Sequence, residues 1–485
     1  MHSFPFPKSM TAPARALVLL VAIVAAGTKA NAQPRPRVTD EVRPFIAVDA
    51  PMVALTHVRL IDGTGAAMSN DQTIVIDGTR IIAVGPSTTT VIPAQAQILD
   101  RRGFTVVPGF VGLHEHTYFG GVQRLTQMST SAPLLYLAFG VTTAMTAGSQ
   151  LPYHELSMQR AIDAGRTPGP RLLIAGPYLD GPDARNPMTR ALTSDLEAQR
   201  VVGYWADEGV TWVKVMGNIS RARMGAVIRA AHARGVRVTG HLCSVSFAEA
   251  AELGIDALQH GFITASEYVP GKKEDECPPD NMRVQSNVDV GSEPVQASIR
   301  ALARRGTPVV STLGVYETFA PSRFVMDTAA LAMLAPDTRR EVEEANARLG
   351  GAGGLTVSSL LLQRMMRWER DFVAAGGLLG AGCDPWGTGY LPGFGDVRNF
   401  EMFREAGFSP ETAIQIMTYN GARILGMERE VGAVTVGRQA DLVLVRGNPA
   451  LSARDLYQVE LVFRAGVGYD SQKLRAAARG LVGLR

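Results

Sequence analysis

The sequence predicts an α/β fold: a (β/α)8 TIM-type barrel over residues 105–425 and a small β-sandwich domain built from both chain ends, residues 33–104 and 426–485. The length of 485 residues suits one barrel with a smaller second domain. The composition is 46% hydrophobic and 19% charged, near the globular average, while 50 Gly and 28 Pro exceed it, as many tight turns require. In the middle of the chain, strand-length apolar runs alternate with helical patterns, which indicates parallel β/α units.

The first 32 residues have the pattern of a removable signal peptide. Lys8 and Arg15 precede an apolar run from Ala16 to Ala26, and Ala30-Asn31-Ala32 is a small-x-small cleavage site. We expect cleavage after Ala32 and a secreted or periplasmic protein. A membrane anchor is the alternative, but the run is shorter than the roughly 20 residues that span a bilayer. We expect no stable membrane span after leader removal.

The charge balance excludes a basic binding surface. Of the 48 Lys and Arg residues, Lys8, Arg15 and Lys29 lie in the leader, which leaves 45 basic against 45 acidic residues. No basic block and no Arg run interleaved with aromatic residues follows, so we expect no nucleic-acid partner. We expect a small-molecule substrate and a homo-oligomer.

The chain has three cysteines, Cys243, Cys277 and Cys383, which are too few and too scattered for a disulfide scaffold or a thiolate metal site. At most one bridge can form, and the spacing leaves the pair open. Any metal must therefore be held by nitrogen and oxygen ligands.

Short apolar strands separated by Asp-Gly and Gly-Pro turns follow a Pro-rich linker at residues 34–44, and they favour antiparallel pairing. The same pattern returns at the far end, so we expect the two segments to pair into one sandwich that brings the termini together. The predicted strands are Met52 to Leu60, Gln72 to Ile76, Arg80 to Val84, Gln97 to Asp100, Gly432 to Val445 and Leu461 to Tyr469.

Eight candidate strands occupy the middle, which is the number that closes a barrel. Helical segments lie between them, such as Asp195 to Glu208, Arg221 to Ala233 and Phe247 to Leu253, and each ends near a glycine that can cap it. The candidate strands are Phe104 to Val107 continuing toward His116, Val141 to Met145, Arg171 to Ala175, Trp212 to Met216, Val236 to Thr239, Ala257 to His260, Pro308 to Thr312 and Leu378 to Gly382.

Polar residues stand at the ends of these strands, where barrel active sites lie. Two histidines one residue apart on a strand project to the same face, so His114 and His116 can hold one cation while Glu115 points away. Taken singly, a strand-end His is usually a satisfied core or turn residue, but the whole constellation predicts a metal site. Its members are His114 and His116 after strand one, Lys214 on strand four, His241 after strand five, His260 after strand six and Asp384 after strand eight.

Short motifs in the same order resemble the amidohydrolase superfamily, within it the branch with imidazolonepropionase-like and Xaa-Pro-dipeptidase-like enzymes. They cover nearly all of the chain after the leader. The motifs are Val107-Pro108-Gly109-Phe110 leading into His114 and His116, Gly140-Val141-Thr142-Thr143, Trp212-Val213-Lys214-Val215-Met216, Gly240-His241, Gln259-His260-Gly261, Gly382-Cys383-Asp384-Pro385 and Gly437-Arg438-Gln439-Ala440-Asp441-Leu442.

The resemblance implies two divalent metal ions, one held by His114, His116 and Asp384 and the other by His241 and His260. It also implies that Lys214 bridges them as an Nζ carbamate derived from CO2. Such a ligand set suits Zn, with Mn, Co or Fe as alternatives. Lys214, flanked by Val213 and Val215, would be a costly buried cation, and carbamylation makes it an anion. An unmodified Lys214 beside a single metal is the alternative.

The chain departs from the family pattern at two positions. Gly112 stands where the family often has Asp, and Gln259 stands where it commonly has Glu before the strand-six histidine. Neither position is expected to be a metal ligand. These departures put in doubt the hydrogen bonds that would orient the ligands.

The resemblance implies an amidohydrolase that cleaves an amide or peptide-like C–N bond, in an N-acyl amino acid or dipeptide, by metal-bridged hydroxide attack. Asp384 is the expected catalytic proton carrier, with a role as ligand only as its alternative. A lactone, ester or carbamate remains open as the substrate. Deaminase-type relatives usually have Glu where this chain has Ser244. An alternative function from a different class is that of a non-catalytic, metal-loaded extracytoplasmic binding protein.

Loops at the strand ends are expected to form the pocket. Tyr118 and Tyr178 lie near strand ends and are candidates to contact the oxyanion. Trp386, Tyr390 and Phe394 in the stretch 385–398 suit an apolar or aromatic substrate, with a packed loop as the alternative. The connection from residue 262 to 294 is expected to form a lid or a solvated insertion.

Overall fold

The computed structural model describes residues 2, 35–120, 125–184, 188–320, 323–324, 326–348, 357–386 and 389–484. The predicted signal peptide, apart from residue 2, lies outside the described residues. Within the described part of the chain, no helix is long and apolar enough to cross a membrane. Residues from Pro34 to Arg485 belong to one compact unit.

The strands are β1 (Ile46–Val48), β2 (Met52–Leu60), β3 (Ser69–Asp77), β4 (Arg80–Pro86), β5 (Gln97–Asp100), β6 (Phe104–Pro108), β7 (Phe110–Glu115), β8 (Tyr118–Gly120), β9 (Leu125–Gln127), β10 (Val141–Thr146), β11 (Arg171–Leu173), β12 (Ala175–Asp180), β13 (Arg190–Ala191), β14 (Trp212–Val215), β15 (Arg237–Gly240), β16 (Ala257–Gln259), β17 (Val309–Ser311), β18 (Leu379–Ala381), β19 (Leu442–Arg446), β20 (Val459–Arg464) and β21 (Val467–Asp470).

The helices are α1 (Ser131–Ala138), α2 (Pro152–Asp163), α3 (Asp195–Glu208), α4 (Arg221–His232), α5 (Phe247–Leu253), α6 (Asn281–Gln285), α7 (Glu293–Arg305), α8 (Leu313–Glu317), α9 (Thr328–Leu331), α10 (Pro336–Ala347), α11 (Ser359–Ala374), α12 (Phe394–Glu405), α13 (Pro410–Met417), α14 (Tyr419–Leu425) and α15 (Ser471–Ala478). Short 3-10 helices span Arg43–Phe45, Gly261–Thr264, Ser266–Tyr268 and Ala453–Tyr457.

A nine-stranded sheet joins the two ends of the described chain. Its order is β1-β21-β20-β19-β6-β2-β3-β4, with β5 also paired to β2. Strand β19 pairs with β6 in antiparallel register, Leu444 opposite Val106, and both side chains are buried. The expectation that the terminal segments pair with each other is correct, because β1 pairs with β21, Ile46 opposite Tyr469. The expectation of antiparallel pairing throughout is wrong, because β5 and β6 both run parallel to β2.

The remaining large sheets are parallel, as the alternating pattern indicates. One has the order β11-β10-β7 and the other the order β13-β12-β14-β15-β16-β17-β18. At the far edge, the backbone N–H of Asp384, just after β18, donates to the carbonyl of His114 on β7 at 2.7 Å. A Cβ on Gly382 would lie 2.2 Å from the His114 backbone nitrogen, so glycine is what permits this approach. The domain is thus TIM-barrel-like; the closed barrel and the β-sandwich stay predictions.

The predicted strand one is wrong in its course. Phe104–Pro108 belongs to the nine-stranded sheet, and the chain enters the parallel sheet only after Gly109, at Phe110–Glu115. The apolar run is continuous across this change, because both strands are fully buried and no polar residue marks the boundary. The predicted third strand is also divided, at Ile174. The other six predicted strands agree with the structure to within one residue at each end.

The helices that lead toward the site begin and end where the sequence indicates. Helix α3 begins after Ser194, whose side chain accepts the backbone N–H of Glu197, and ends at Gly209 with a positive φ of 99°. Helix α5 begins with a capping box between Ser246 and Glu249. Such caps set the point at which each strand-end loop stops and each returning helix starts.

Candidate metal centre

The six predicted ligands all line one cavity at the carboxyl ends of the parallel strands. Each lies on or just after its own strand, because the parallel register brings equivalent strand ends to the same edge. They are His114 on β7, His116 just after it, Lys214 on β14, His241 after β15, His260 after β16 and Asp384 after β18.

Three of these residues converge closely enough to share an ion. One donor atom each from His114, His116 and Asp384 lies within 4.8 Å of the others. Asp384 Oδ1 is 3.3 Å from His116 Nε2 and 3.6 Å from His114 Nε2. Burial lowers the pKa of both imidazoles, well below the usual value for His114, so both rings are neutral and each has a nitrogen lone pair that can coordinate a metal ion. The donor set therefore fits a divalent metal ion.

The remaining two histidines face each other beside this group. Nδ1 of His241 lies 2.8 Å from Nε2 of His260, and Nδ1 of His260 lies 3.7 Å from Asp384 Oδ2. Burial lowers the pKa of His241 to about 4 and that of His260 well below its usual value. Two neutral imidazoles in contact with each other, one of them close to the Asp384 carboxylate, are suited to a second cation.

Lys214 reaches the centre of the cluster from β14. Its Nζ donates to Nε2 of His114 at 3.0 Å and lies 5.5 Å from the centre of the Tyr178 ring. The residue is only 3% exposed. Burial lowers the pKa of its ammonium to about 8, and the charge of Asp384 acts in the opposite direction. An ammonium among neutral imidazoles repels any cation bound there, so the bare lysine suits a metal poorly.

Two of these residues have strained backbones. The φ angles of His260 and Asp384 are 70° and 50°, in the left-handed region that residues other than glycine rarely adopt. Such strain is typical of functional sites, where surrounding structure holds a side chain in place. Here it turns both side chains toward the cluster.

Gln259 orients the imidazole ring of His114 through a hydrogen bond. The Nδ1–H of His114 donates to Gln259 Oε1 at 2.6 Å, and Gln259 Nε2 donates to Thr239 Oγ1 at 2.7 Å. This chain of bonds assigns the proton of His114 to Nδ1 and leaves Nε2 toward the cavity. A glutamine is therefore able to give the support that was in doubt at this position.

Gly112, the other departure, is explained by crowding. A Cβ at Gly112 would lie 2.1 Å from Glu115 Oε1. Glu115 takes this space because it belongs to a separate buried group with Cys383 and Asp396. Burial raises the pKa of Glu115 well above its usual value and that of Asp396 to about 7. Glu115 Oε1 accepts the backbone N–H of Cys383 at 3.1 Å, which ties the strand carrying the histidines to the residue before Asp384.

The cavity has a volume of about 800 Å³ and is large enough for a drug-sized ligand. The hydroxyls of Tyr118 and Tyr178, which both line it, are 2.7 Å apart. The Tyr118 ring stacks on His116 with 4.7 Å between ring centres. Burial raises the pKa of both phenols, so they stay protonated and able to donate a hydrogen bond to a substrate oxygen.

Of the three aromatic residues expected from the stretch 385–398, only Trp386 lines this cavity. It is 39% exposed. Tyr390 instead donates its hydroxyl to the Gly395 carbonyl at 2.7 Å, and Phe394 packs on Phe139 with ring centres 4.3 Å apart. Both are buried, so the alternative of a packed loop holds for them. Sequence spacing does not distinguish a buried loop aromatic from one that faces a cavity.

Two residues near the cluster were missed by the sequence analysis. Tyr316 lines the cavity with its ring centre 5.6 Å from that of His260, and Thr312 Oγ1 lies 2.8 Å from His260 Nδ1. Thr312 directly follows β17, so the strand-end rule that found the ligands could have found it. Tyr316 lies about one helical turn after Thr312, on α8, and no motif or strand-end position in the sequence marks it as a site residue.

The cysteines form one bridge. Cys243 and Cys277 are disulfide-bonded, both line the cavity, and Cys383 is free and buried. The sequence allowed one bridge but left the pair open, because connectivity depends on distances that spacing does not reveal.

Three comparisons with known proteins agree with this geometry. The Amidohydrolase family model matches residues 297–467. An imidazolonepropionase of Streptomyces griseus is 34% identical over 114 residues, which cover 21% of this chain and 28% of that protein. The chain therefore matches less than a third of the length of this relative.

Solved structures match over far more of the chain. A putative prolidase from Bifidobacterium longum is 25% identical, with 88% of this chain and 99% of that chain covered at a TM-score of 0.62. Bottromycin amidohydrolase is 20% identical, with 92% and 95% covered at a TM-score of 0.67, and it supports the fold alone.

The TIM-barrel-like α/β domain brings histidines and an aspartate together at its strand ends, where they could hold a metal ion. Residues 297–467, about a third of the chain, match the Amidohydrolase family model, and the chain is similar in fold to a putative prolidase and to an amidohydrolase.

Proposed function

We propose that this protein is an exported, metal-dependent amidohydrolase that cleaves the C–N bond of an N-acyl amino acid or dipeptide. The observation that carries the proposal is the convergence of His114, His116 and Asp384 on one point of an 800 Å³ cavity. Neutral imidazoles and a carboxylate are ligands for a divalent ion, and the cavity leaves room for a substrate beside them.

The proposed site holds two divalent ions. His114, His116 and Asp384 would hold one, and His241 and His260 the other. Nitrogen and oxygen ligands suit Zn, with Mn, Co and Fe as the alternatives. When bound, such ions supply Lewis acidity and lower the pKa of water toward neutrality.

Lys214 is proposed to carry a carbamate. Its Nζ lies 3.0 Å from a ligand nitrogen of His114 in a buried site. An ammonium there would repel both ions, whereas addition of CO2 to the neutral amine, with loss of one proton, places an anion between them. The alternative is a bare lysine beside a single ion.

Asp384 is proposed as the proton carrier. Oδ1 and Oδ2 of Asp384 face the two histidine groups, 3.3 Å from His116 and 3.7 Å from His260. Its carboxylate is thus in reach of a water at the centre of the cluster. It would take a proton from that water as the water attacks the substrate carbonyl, and return it to the departing nitrogen. In the Tyr118–Tyr178 pair one hydroxyl donates to the other, and the accepting hydroxyl would donate its own proton to the developing oxyanion.

The substrate class is supported by the walls and by the relatives. Tyr118, Tyr178, Tyr316 and Trp386 give the cavity an aromatic lining that suits an apolar side chain. The relatives compared above are called imidazolonepropionase and putative prolidase, which both denote hydrolysis of a C–N bond. A lactone, ester or carbamate is the alternative substrate for the same site.

Deamination is not favoured by the local structure. Ser244 stands where deaminases usually have Glu, and its hydroxyl donates to the Ile219 carbonyl at 2.5 Å while the residue is 1% exposed. It is therefore bound to the backbone and does not offer a carboxylate to a substrate.

The test is metal analysis combined with a screen of N-acyl amino acids, dipeptides, carbamates and lactones. We expect metal-dependent turnover in the first two classes, lost in Asp384→Asn. Turnover of lactones or carbamates alone would reassign the substrate. Stoichiometric metal without turnover of any class would favour a metal-loaded binding protein.

Four further parts of the proposal concern the whole protein. Export with cleavage after Ala32 is supported by the Cys243–Cys277 disulfide, because such bonds persist in oxidising compartments. A closed (β/α)8 barrel is supported by the backbone bond between Asp384 and His114. We also propose a β-sandwich built from both chain ends and a homo-oligomer; intact mass and light scattering test the leader and the oligomer.

A further inference from the structure

One wall of the cavity is held by the disulfide. Pro278, Pro279 and Met282 line the cavity, and they lie within five residues after Cys277. We propose that the Cys243–Cys277 disulfide fixes residues 270–284 as a substrate-contacting wall and thereby sets how tightly a substrate binds. The inference rests on the proposed function for its substrate.

Packing by itself holds this segment weakly. Val269 at one end and Gln285 at the other are buried, at 8% and 0% exposure, but every residue from 270 to 284 is at least partly exposed. Segments with few buried contacts open at a small free-energy cost. The position of the wall must therefore come from specific ties.

Three hydrogen bonds tie the segment to the strand-end loops. Lys272 Nζ donates to the Ser244 carbonyl at 2.6 Å, Asp275 Oδ1 accepts the backbone N–H of Arg221 at 2.5 Å, and Asn281 Nδ2 donates to the Ile263 carbonyl at 3.3 Å. The Asp275 bond is exposed and the Lys272 and Asn281 bonds are half-buried, so water competes with all three. None of them is strong enough by itself to fix the position of the wall when a substrate contacts it.

The disulfide supplies the missing restraint. Cys243 is 8% exposed and follows the candidate ligand His241 by two residues, so it is fixed to the end of β15. Cys277 is 34 residues further along the chain. Closing a loop of this length removes much of its conformational freedom. The disulfide therefore fixes the position of residues 270–284 relative to the end of β15, the strand that precedes His241.

Loss of the bond should weaken substrate binding and spare the metal. Without it, the substrate would have to order residues 270–284 when it binds, and that cost would appear as a higher KM. The ligand side chains keep their own strand and hydrogen-bond supports, so metal content and kcat should change little.

The test uses the full zinc-loaded protein with Cys243→Ser and Cys277→Ser combined, so that no free thiol is left near the ligands. N-acetyl-L-phenylalanine 4-nitroanilide is the bulky amide probe and 4-nitrophenyl acetate the small ester probe. We expect KM for the bulky probe to rise on the order of 10-fold with kcat and zinc per chain within about twofold, and KM for the ester to change less. Hydrogen exchange should accelerate in residues 270–284. Lys273→Ala, an exposed change in the same segment, should behave as wild type.

Reduction of the wild-type disulfide by tris(2-carboxyethyl)phosphine gives a second measurement without a mutation. The phosphine is oxidised to its oxide with oxygen from water, while the disulfide gains two electrons and two protons. The same shifts should appear. Unchanged exchange, or faster exchange with an unchanged KM, overturns the proposal, as does a matched loss of zinc and kcat. If wild type hydrolyses neither probe, the proposed function fails, and hydrogen exchange alone decides whether the disulfide holds the wall.

Discussion

His114 donates its Nδ1–H to Oε1 of Gln259 across 2.6 Å. The bond orients the ring so that Nε2 faces the cavity, 3.6 Å from Asp384 Oδ1. Replacing Gln259 with Leu removes the acceptor, and we expect metal affinity to fall about 10- to 100-fold, the usual cost of losing such support. Competition with a chelator measures this. Gln259→Glu keeps an acceptor and should retain most of the affinity; equal losses in both variants would contradict the role of the bond.

Substitution of a ligand should cost more than substitution of its support. We expect His114→Ala or His241→Ala to lower turnover on the order of 100-fold or more. His232→Ala is the matched control, because His232 is on α4 and pairs with Asp256 at 2.9 Å outside the cavity. It should be nearly neutral. Equal activity of all three variants would remove the metal assignment.

The bridging role of Lys214 predicts a dependence on CO2. Carbamate formation needs a deprotonated amine and dissolved CO2, so added bicarbonate at mildly alkaline pH should improve metal loading. Lys214→Ala should bind markedly less metal and lose most activity, and a short carboxylic acid in solution should restore part of it. Mass spectrometry counts the metals. Full activity at one metal per chain, with no bicarbonate response, would contradict the hypothesis that a carbamylated Lys214 bridges two metal ions.

Buried Glu369 predicts a pH dependence of stability. It accepts a hydrogen bond from Ser311 at 2.9 Å, and burial raises the pKa of its carboxyl to about 8. Its contribution is fully present below its ordinary pKa and is lost as pH rises through 8. The Tm of Glu369→Gln relative to wild type should therefore increase from pH 4.5 to pH 9, by a few degrees.

The matched control is Glu317, an equally buried glutamate with the opposite shift. Hydrogen bonds and charge from Arg398 and Arg323 lower its pKa against the effect of burial. Its stabilisation is present above its ordinary pKa and is lost as pH falls through the lowered value. Glu317→Gln should thus lower Tm at pH 7 and approach wild type in acid. A flat Tm difference for Glu369→Gln between pH 4.5 and pH 9, or for Glu317→Gln as the pH falls below 4.5, would refute the corresponding assignment.

The leader predicts a processed N-terminus. We expect the exported protein to begin near Gln33, because a positively charged start, an apolar centre and a small-x-small cleavage site precede it. Intact-mass measurement determines the first residue. Recovery of the full-length chain from the cytoplasm of the native host would count against the leader.

The sequence by itself determined which residues stand at strand ends. Parallel β/α units repeat a simple local rule, in which a short apolar strand is followed by a polar residue and a capped helix. Local chemistry is enough to recognise that rule. His114, Lys214, His241, His260 and Asp384 were found in this way, and all line the cavity.

Only the tertiary structure decided which of these atoms meet and what surrounds them. The course of Phe104–Pro108 into the nine-stranded sheet depends on its pairing with Leu442–Arg446, more than 300 residues away in the chain. The same holds for the disulfide between Cys243 and Cys277, and for the packing of Phe394 away from the cavity. These outcomes depend on distances between segments remote in sequence, and periodicity and spacing carry information only about neighbours along the chain.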